Sequence, residues 1–233
     1  MANGLLEGKH AVIYGASGRI GPGIARTFVA EGARVHLVAR NEEPLRALAA
    51  ELGTQADYAA FDAGDEGRVT AHLEELPQLD ISINLVQRGD VHGQSLIEMP
   101  IDDLMSPIKG QRTIFLTAQA AAKRMVADGG GVILWLNSAS GPAAGPGMGG
   151  TGPADAAMDN FFRQLARDHG SQGLRTAGIW TAGVGMDEVM SKYSALGRAP
   201  SYQEVADAAA FLASDRASAT TGAILTVTAG VAF

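Results

Sequence analysis

A doubly wound α/β domain is the fold class this sequence predicts, and three observations carry it. Short β-branched runs alternate with amphipathic helical patterns along the chain. The first of those runs opens onto a turn with glycine at every third position. No linker, internal repeat or low-complexity tail interrupts the alternation. Strands separated by helices pair in parallel, and a parallel sheet is covered by helices on both faces.

In chain order, HAVIY (10–14) is the first strand, and IARTFVAEG (24–32) repeats its apolar residues at helical spacing. RVHLVA (34–39) is the second strand, followed by a helix at EPLRALAAEL (43–52). ADYAAF (56–61) is the third, and GRVTAHLEEL (67–76) is its helix. DISINLV (80–86) is the fourth, ahead of the long helical pattern QRTIFLTAQAAAKRMV (111–126). GVILWLN (131–137) is the fifth. The stretch Gly141 to Pro153 is then mostly glycine, proline and alanine, and a helix follows. Pro153 suits its first position, with Gly152 as the cap and Asp155 as an acid in the first turn. Its apolar face takes Ala154, Ala157, Met158, Phe161, Phe162, Leu165 and Ala166, which leaves Asp159 and Arg163 as a surface pair. LRTAGIW (174–180) and GAILTVT (222–228) complete the strands, with a lid-like segment at 185–197 and a helix at VADAAAFLA (205–213). One domain over residues 1–233, with a sheet of about seven strands, is the expectation.

Composition narrows the function. Apolar content of 46% and charged content of 18% describe an ordinary globular chain. With no cysteine there is no disulfide, thiolate metal site or cysteine nucleophile. The five histidines show no metal spacing, so no metal is expected. A net charge of −7, with no basic stripe to offset it, argues against a nucleic-acid partner. No apolar run reaches membrane-spanning length and the first residues lack a signal-peptide core, so a cytoplasmic protein without a membrane partner is expected.

The turn YGASGRIGPGIA (14–25) places Gly15, Gly18 and Gly21 between a strand and a helix start. A dinucleotide cradle needs that arrangement: a tight turn, close approach of backbone to pyrophosphate, and helix N-terminal amides as donors. Ser17, Arg19 and Ile20 belong to the same loop and are read with the glycines as cofactor-binding residues. The second strand ends in Ala39 and then Arg40. A carboxylate there would accept from the ribose of NAD, whereas an arginine suits the extra phosphate of NADP. Arg19 adds a second guanidinium from the other side, so NADP(H) is the expected cofactor of this Rossmann domain.

The chain now resembles the short-chain dehydrogenase/reductase family over essentially its full length. The motifs are GKHAVIYGASGRIG (8–21), FDAGD (61–65), DISINLV (80–86), GVILWLNSASG (131–141) and the tail GRAPSYQEVADAAAFLASDRASATTGAILTV (197–227). The resemblance implies an NADP-type oxidoreductase acting on a small-molecule substrate, with Asp62 on the adenine amino group and Ala63 packed nearby. It also implies a homodimer or homotetramer built through helices 109–127 and 153–169.

In that family a tyrosine phenol is the acid/base, and a lysine four residues later lowers its pKa and holds the nicotinamide ribose. A serine polarises the carbonyl and an asparagine completes the proton relay. A phenol titrates near pH 10 and must be pulled toward neutrality to serve. Lys9, Lys109, Lys123 and Lys192 are preceded at that spacing by Leu5, Met105, Gln119 and Glu188, so the chain contains no Tyr-x-x-x-Lys. On the family pattern Ser138 matches the active serine, Thr151 stands at the tyrosine, Asp155 at the lysine and Pro107 at the asparagine. Leu85-Val86-Gln87, Thr181-Ala182 and Met186 are further departures around the same pocket. A threonine hydroxyl is too weak an acid to copy a phenol. Arg88, Asp90 and His92 in the loop after the fourth strand, and Tyr193 in the lid, are the remaining polar candidates. The reading is a family member that keeps its dinucleotide end and lacks the usual hydride-transfer machinery. The alternatives are a non-catalytic nucleotide-binding or scaffold subunit paired with an active homologue, and a cofactor-independent lyase or cyclase.

Overall fold

The computed structural model describes residues 4–139 and 144–231. Seven parallel strands form one sheet: β1 (His10–Tyr14), β2 (Arg34–Ala39), β3 (Ala56–Ala60), β4 (Ile81–Asn84), β5 (Gly131–Ser138), β6 (Leu174–Thr181) and β7 (Ala223–Val227). Their order is β3-β2-β1-β4-β5-β6-β7. The direction of winding reverses between β1 and β4, and the crevice that such a reversal opens at the strand C-termini is where doubly wound sheets hold ligands.

The helices are α1 (Gly21–Ala30), α2 (Glu42–Leu52), α3 (Glu66–Glu75), α4 (Ile101–Asp128), α5 (Thr151–His169), α6 (Asp187–Met190) and α7 (Tyr202–Ala213). One face of the sheet buries Ile13, Leu37 and Ile83 with Phe28 of α1, Leu45 of α2 and Leu212 of α7. The other buries Tyr14 and Trp135 with Leu73 of α3, Met125 of α4 and Phe162 of α5. Each such large side chain contributes about 1.5–3 kcal/mol by leaving water. Among the described residues, no helix is long and apolar enough to cross a membrane.

Three of the boundaries that differ from expectation bear on the site, each for a local reason. β4 stops at Asn84 because the Asn84 side chain accepts the Val86 amide at 2.8 Å and turns the chain out of the sheet. α4 begins at Ile101, ten residues before the periodic core at 111, and carries Pro107 within its second turn. α5 begins at Thr151 behind Gly150, so Pro153 is its third residue and not its first. A Cβ at Gly150 would overlap the Leu104 carbonyl of α4, so glycine is what lets the two helices meet there. Part of the glycine-rich stretch, residues 140–143, lies outside the described residues.

Candidate functional site

The crevice between β1 and β4 collects all nine residues expected to hold a dinucleotide. Gly15, Ser17, Gly18, Arg19, Ile20, Gly21, Arg40, Asp62 and Ala63 line one cleft of about 480 Å³. Gly15 has φ +73°, and a Cβ there would lie 2.8 Å from the Leu85 carbonyl carbon. A Cβ at Gly21 would fall 2.5 Å from the Ala16 carbonyl oxygen, so the start of α1 packs directly on the loop. These are positions only glycine fills without displacing backbone. Arg19 and Arg40 are exposed, and neither makes an ion pair or side-chain hydrogen bond among the described residues. Asp62 is exposed, with Oδ1 accepting the Gly64 amide at 2.8 Å. Ala39, Asn41, Val86 and Gln87 also line the cleft, and the sequence reading gave them no cofactor role.

Beyond the C-terminal ends of β4 and β5 lies a buried polar network. Asp155 has no exposed surface, and Arg88 Nη1 donates to its Oδ1 at 2.5 Å. Ser138 Oγ donates to Asp155 Oδ2. Arg88 Nη1 also donates to Asn137 Oδ1, and Nη2 to Asp90 Oδ2, both at 3.3 Å. Thr151, 1% exposed, donates its hydroxyl to Asp90 Oδ1 at 3.0 Å. An ionised carboxylate only accepts, so the hydroxyl proton lies toward Asp90, and His92 Nε2, at 2.9 Å, donates to Thr151 Oγ1. Asn137 Nδ2 bonds the Asp155 carbonyl at 3.0 Å and Asp159 Oδ1 at 2.7 Å. Asp159 also accepts from Trp135 Nε1 at 2.8 Å and Trp180 Nε1 at 3.0 Å, the indoles of the chain's two tryptophans.

Local structure sets this geometry. Gly89, at φ +80°, turns the chain just after Arg88. At Gly110, α4 lies so close to the Arg88 backbone that any Cβ would overlap its carbonyl oxygen. Asp155 and Asp159 sit one turn apart on α5, on the face pressed against β5 and β6.

Two expectations are corrected here. Asp155 does not stand in the first turn of α5 as an acid at the helix start; it lies further along, fully buried against a guanidinium. Asp159 does not form a surface pair with Arg163; it is 3% exposed and held by three N–H donors. The physical cause is a rotation of the helix: Thr151, Ala154, Asp155, Met158, Asp159, Phe162 and Ala166 face inward, while Ala157 is exposed. Of the sequence candidates, Ser138, Thr151, Asp155, Arg88, Asp90 and His92 meet in one cluster. Tyr193 is 68% exposed and does not join it. Pro107 is buried in α4, beside the cap of α5. Met186 is 43% exposed. Asn137, Asp159 and Trp180 were missed; two carboxylates four residues apart beneath an apolar helix face was the available signal.

A family model described as enoyl-(acyl carrier protein) reductase matches residues 15–232. The chain is 30% identical to the 3-oxoacyl-(acyl-carrier-protein) reductase of Salmonella typhimurium, over 97% of its own length and 98% of the relative's. It is also 30% identical to the 7alpha-hydroxysteroid dehydrogenase of Escherichia coli, over 97% of this chain and 94% of that one. A solved 7 alpha-hydroxysteroid dehydrogenase, complexed with NADH and 7-oxo glycochenodeoxycholic acid, superposes with a TM-score of 0.89 at 29% identity, covering 99% of this chain and 97% of that one. Strand order, the glycine cradle at the β1/β4 crevice and these end-to-end matches agree: the chain belongs to the short-chain dehydrogenase/reductase family of oxidoreductases.

Proposed function

We propose that this family member binds a nicotinamide dinucleotide, with preference for the 2′-phosphorylated form, and does not reduce carbonyls by the family's tyrosine–lysine route. The cleft fits the group. Its glycines leave room at Gly15 and Gly21 that any Cβ would fill, the start of α1 supplies amides, and Arg19 and Arg40 are uncommitted cations at its rim. Bound there, the dinucleotide supplies hydride chemistry.

The observation that carries the second half is the buried Arg88–Asp155 pair, to which Ser138 donates. Carbonyl reduction places negative charge on an oxygen and then needs a proton for it. Here the hydroxyl proton of Ser138 is held by Asp155, and that of Thr151 by Asp90. The Arg88 guanidinium is already neutralised by Asp155 and Asp90. The expected result is saturable NADPH binding, weaker NADH binding, and no oxidation of bound NADPH by a panel of ketones. Ketone turnover at ordinary family rates would sink the proposal.

We also propose self-association, or pairing with a homologue, through α4 and α5. Phe115, Val126, Phe161 and Leu165 are half-buried on their outer faces, and grooves of about 770 and 540 Å³ run beside them. Sedimentation of wild type and Phe161→Glu tests this: the variant is expected to shift toward monomer.

A further inference from the structure

Resting on the dinucleotide reading and deepening it, we infer that His72 of α3 couples the cleft to pH: the dinucleotide binds the form in which this imidazole is neutral, and acid weakens its hold. The link is one aromatic contact. Phe61 lines the cleft and is followed directly by Asp62 and Ala63, which line it too. Phe61 is 8% exposed; its ring centroid lies 5.3 Å from that of His72 and 5.5 Å from the Arg68 guanidinium. Its amide donates to the Ala39 carbonyl at 3.0 Å, which ties the end of β2, just ahead of Arg40, to the same wall. His72 is not itself a lining residue, so it acts on the cleft through Phe61.

A neutral ring suits that place and a cation does not. His72 is half-buried, and its Nδ1 is shut off from water with no hydrogen-bond partner among the described residues. An imidazolium donates from both nitrogens, so protonation would strand an N–H there along with a charge. The surrounding charges give little relief. Arg68 and Glu75 share its helix, and Arg124 of α4 donates to the Leu73 and Leu76 carbonyls at the end of that helix. The strands on this side of the sheet bring His36 and Arg34 from β2, Asp57 from β3 and His10 from β1, with Asp80 just before β4. Asp57 already accepts from His36 and Arg34, and Asp80 from the His10 amide and Gln78. Glu75 is exposed, and Arg68 already supplies the Phe61 ring with a cation. Burial, and after it the neighbouring His36, hold the His72 pKa below the ordinary imidazole value.

Proton and dinucleotide therefore compete. To take a proton His72 has to turn toward water, which withdraws support from Phe61 and lets Asp62 and Ala63 recede. A ligand seated on that wall holds Phe61 in place and keeps His72 neutral. The coupling is reciprocal: acid weakens binding by the factor by which the ligand weakens protonation. A folded-state pKa below the usual value puts full affinity above about pH 6.5, lost as pH falls through the lowered value.

The test is NADPH titration of wild type, His72→Leu and His72→Gln at about pH 7.5 and about pH 5.5, either side of the ordinary imidazole value. Circular dichroism confirms the fold at both. The 2′-phosphate also titrates in this range, but equally for every protein, so the comparison between them carries the result. Wild type is expected to lose at least about fivefold more affinity on acidification than either variant. In wild type alone, NADPH is expected to move the titration of the His72 ring, followed by NMR, to lower pH. Equal losses in wild type and variants, or a His72 titration that NADPH leaves in place, overturns the proposal. Absence of NADPH binding at the higher pH strikes the dinucleotide reading, and this proposal with it.

Discussion

Asp155 is the residue on which stability and chemistry meet. Its carboxylate and the Arg88 guanidinium are both withdrawn from water, so removing the carboxylate strips a buried cation of its closest partner. Asp155→Ala is expected to cost about 3–5 kcal/mol, measured by urea denaturation. Replacing both partners by apolar residues, Arg88→Met with Asp155→Leu, is expected to recover most of that loss, because an isosteric apolar pair carries no stranded charge. A solvated first-turn acid would lose about 1 kcal/mol at most and show no such recovery. Tyr14 gives a second residue-scale expectation. Its hydroxyl is buried with no partner among the described residues, and burial pushes its pKa up. Tyr14→Phe is expected to be neutral or stabilising by about 1 kcal/mol, read as a rise in melting temperature. The identity of Asp155 was legible in the chain, but its partner was not. Arg88 stands 67 residues away, and only the approach of the β4 exit loop to α5 brings them together.

At the scale of elements, the strands were legible because their β-branched runs are short, apolar and bounded by glycine or charge. All seven lie where the pattern put them, within a residue or two at each end. Helix α5 shows where pattern fails. Its widest apolar stripe includes Phe161 and Leu165, and hydrophobicity alone turns that stripe inward. The structure turns Asp155 and Asp159 inward instead, which is possible only because β4, β5, β6 and their loops supply Arg88, Ser138, Asn137 and two indoles. The tight glycine turn was legible for the opposite reason: a glycine that must lie against backbone is a local requirement. Gly21→Ala is expected to push α1 off the loop, since the new Cβ would meet Ala16 at 2.5–2.7 Å. Loss of NADPH binding and about 1–3 kcal/mol of stability should follow, read by titration and denaturation.

Across the whole molecule, chemistry separates to the two ends of the sheet. At the N-terminal ends of β1 and β2, His10 and His36 approach at 3.4 Å, with Asp57 2.5 Å from the other nitrogen of His36. Burial first, and then the neighbouring His36, lower the pKa of His10 and of His72, whose ring packs on Phe61 at 5.3 Å. Lowered values mean the folded state binds fewer protons than the unfolded chain. Their contribution is full above the ordinary imidazole value of about 6.5 and is lost as pH falls through the lowered values. The denaturation midpoint is therefore expected to drop on acidification below about pH 6.5. The drop should be shallower in His72→Leu. At the C-terminal ends lie the glycine loop and the Arg88–Asp155 network, and the proposed function makes holding a dinucleotide and reducing a ketone separable. Single-turnover mixing of NADPH-saturated protein with ketones tests that most directly. The expected result is a bound-NADPH fluorescence signal that does not decay in wild type; rapid NADPH oxidation with the Arg88–Asp155 pair intact would contradict it.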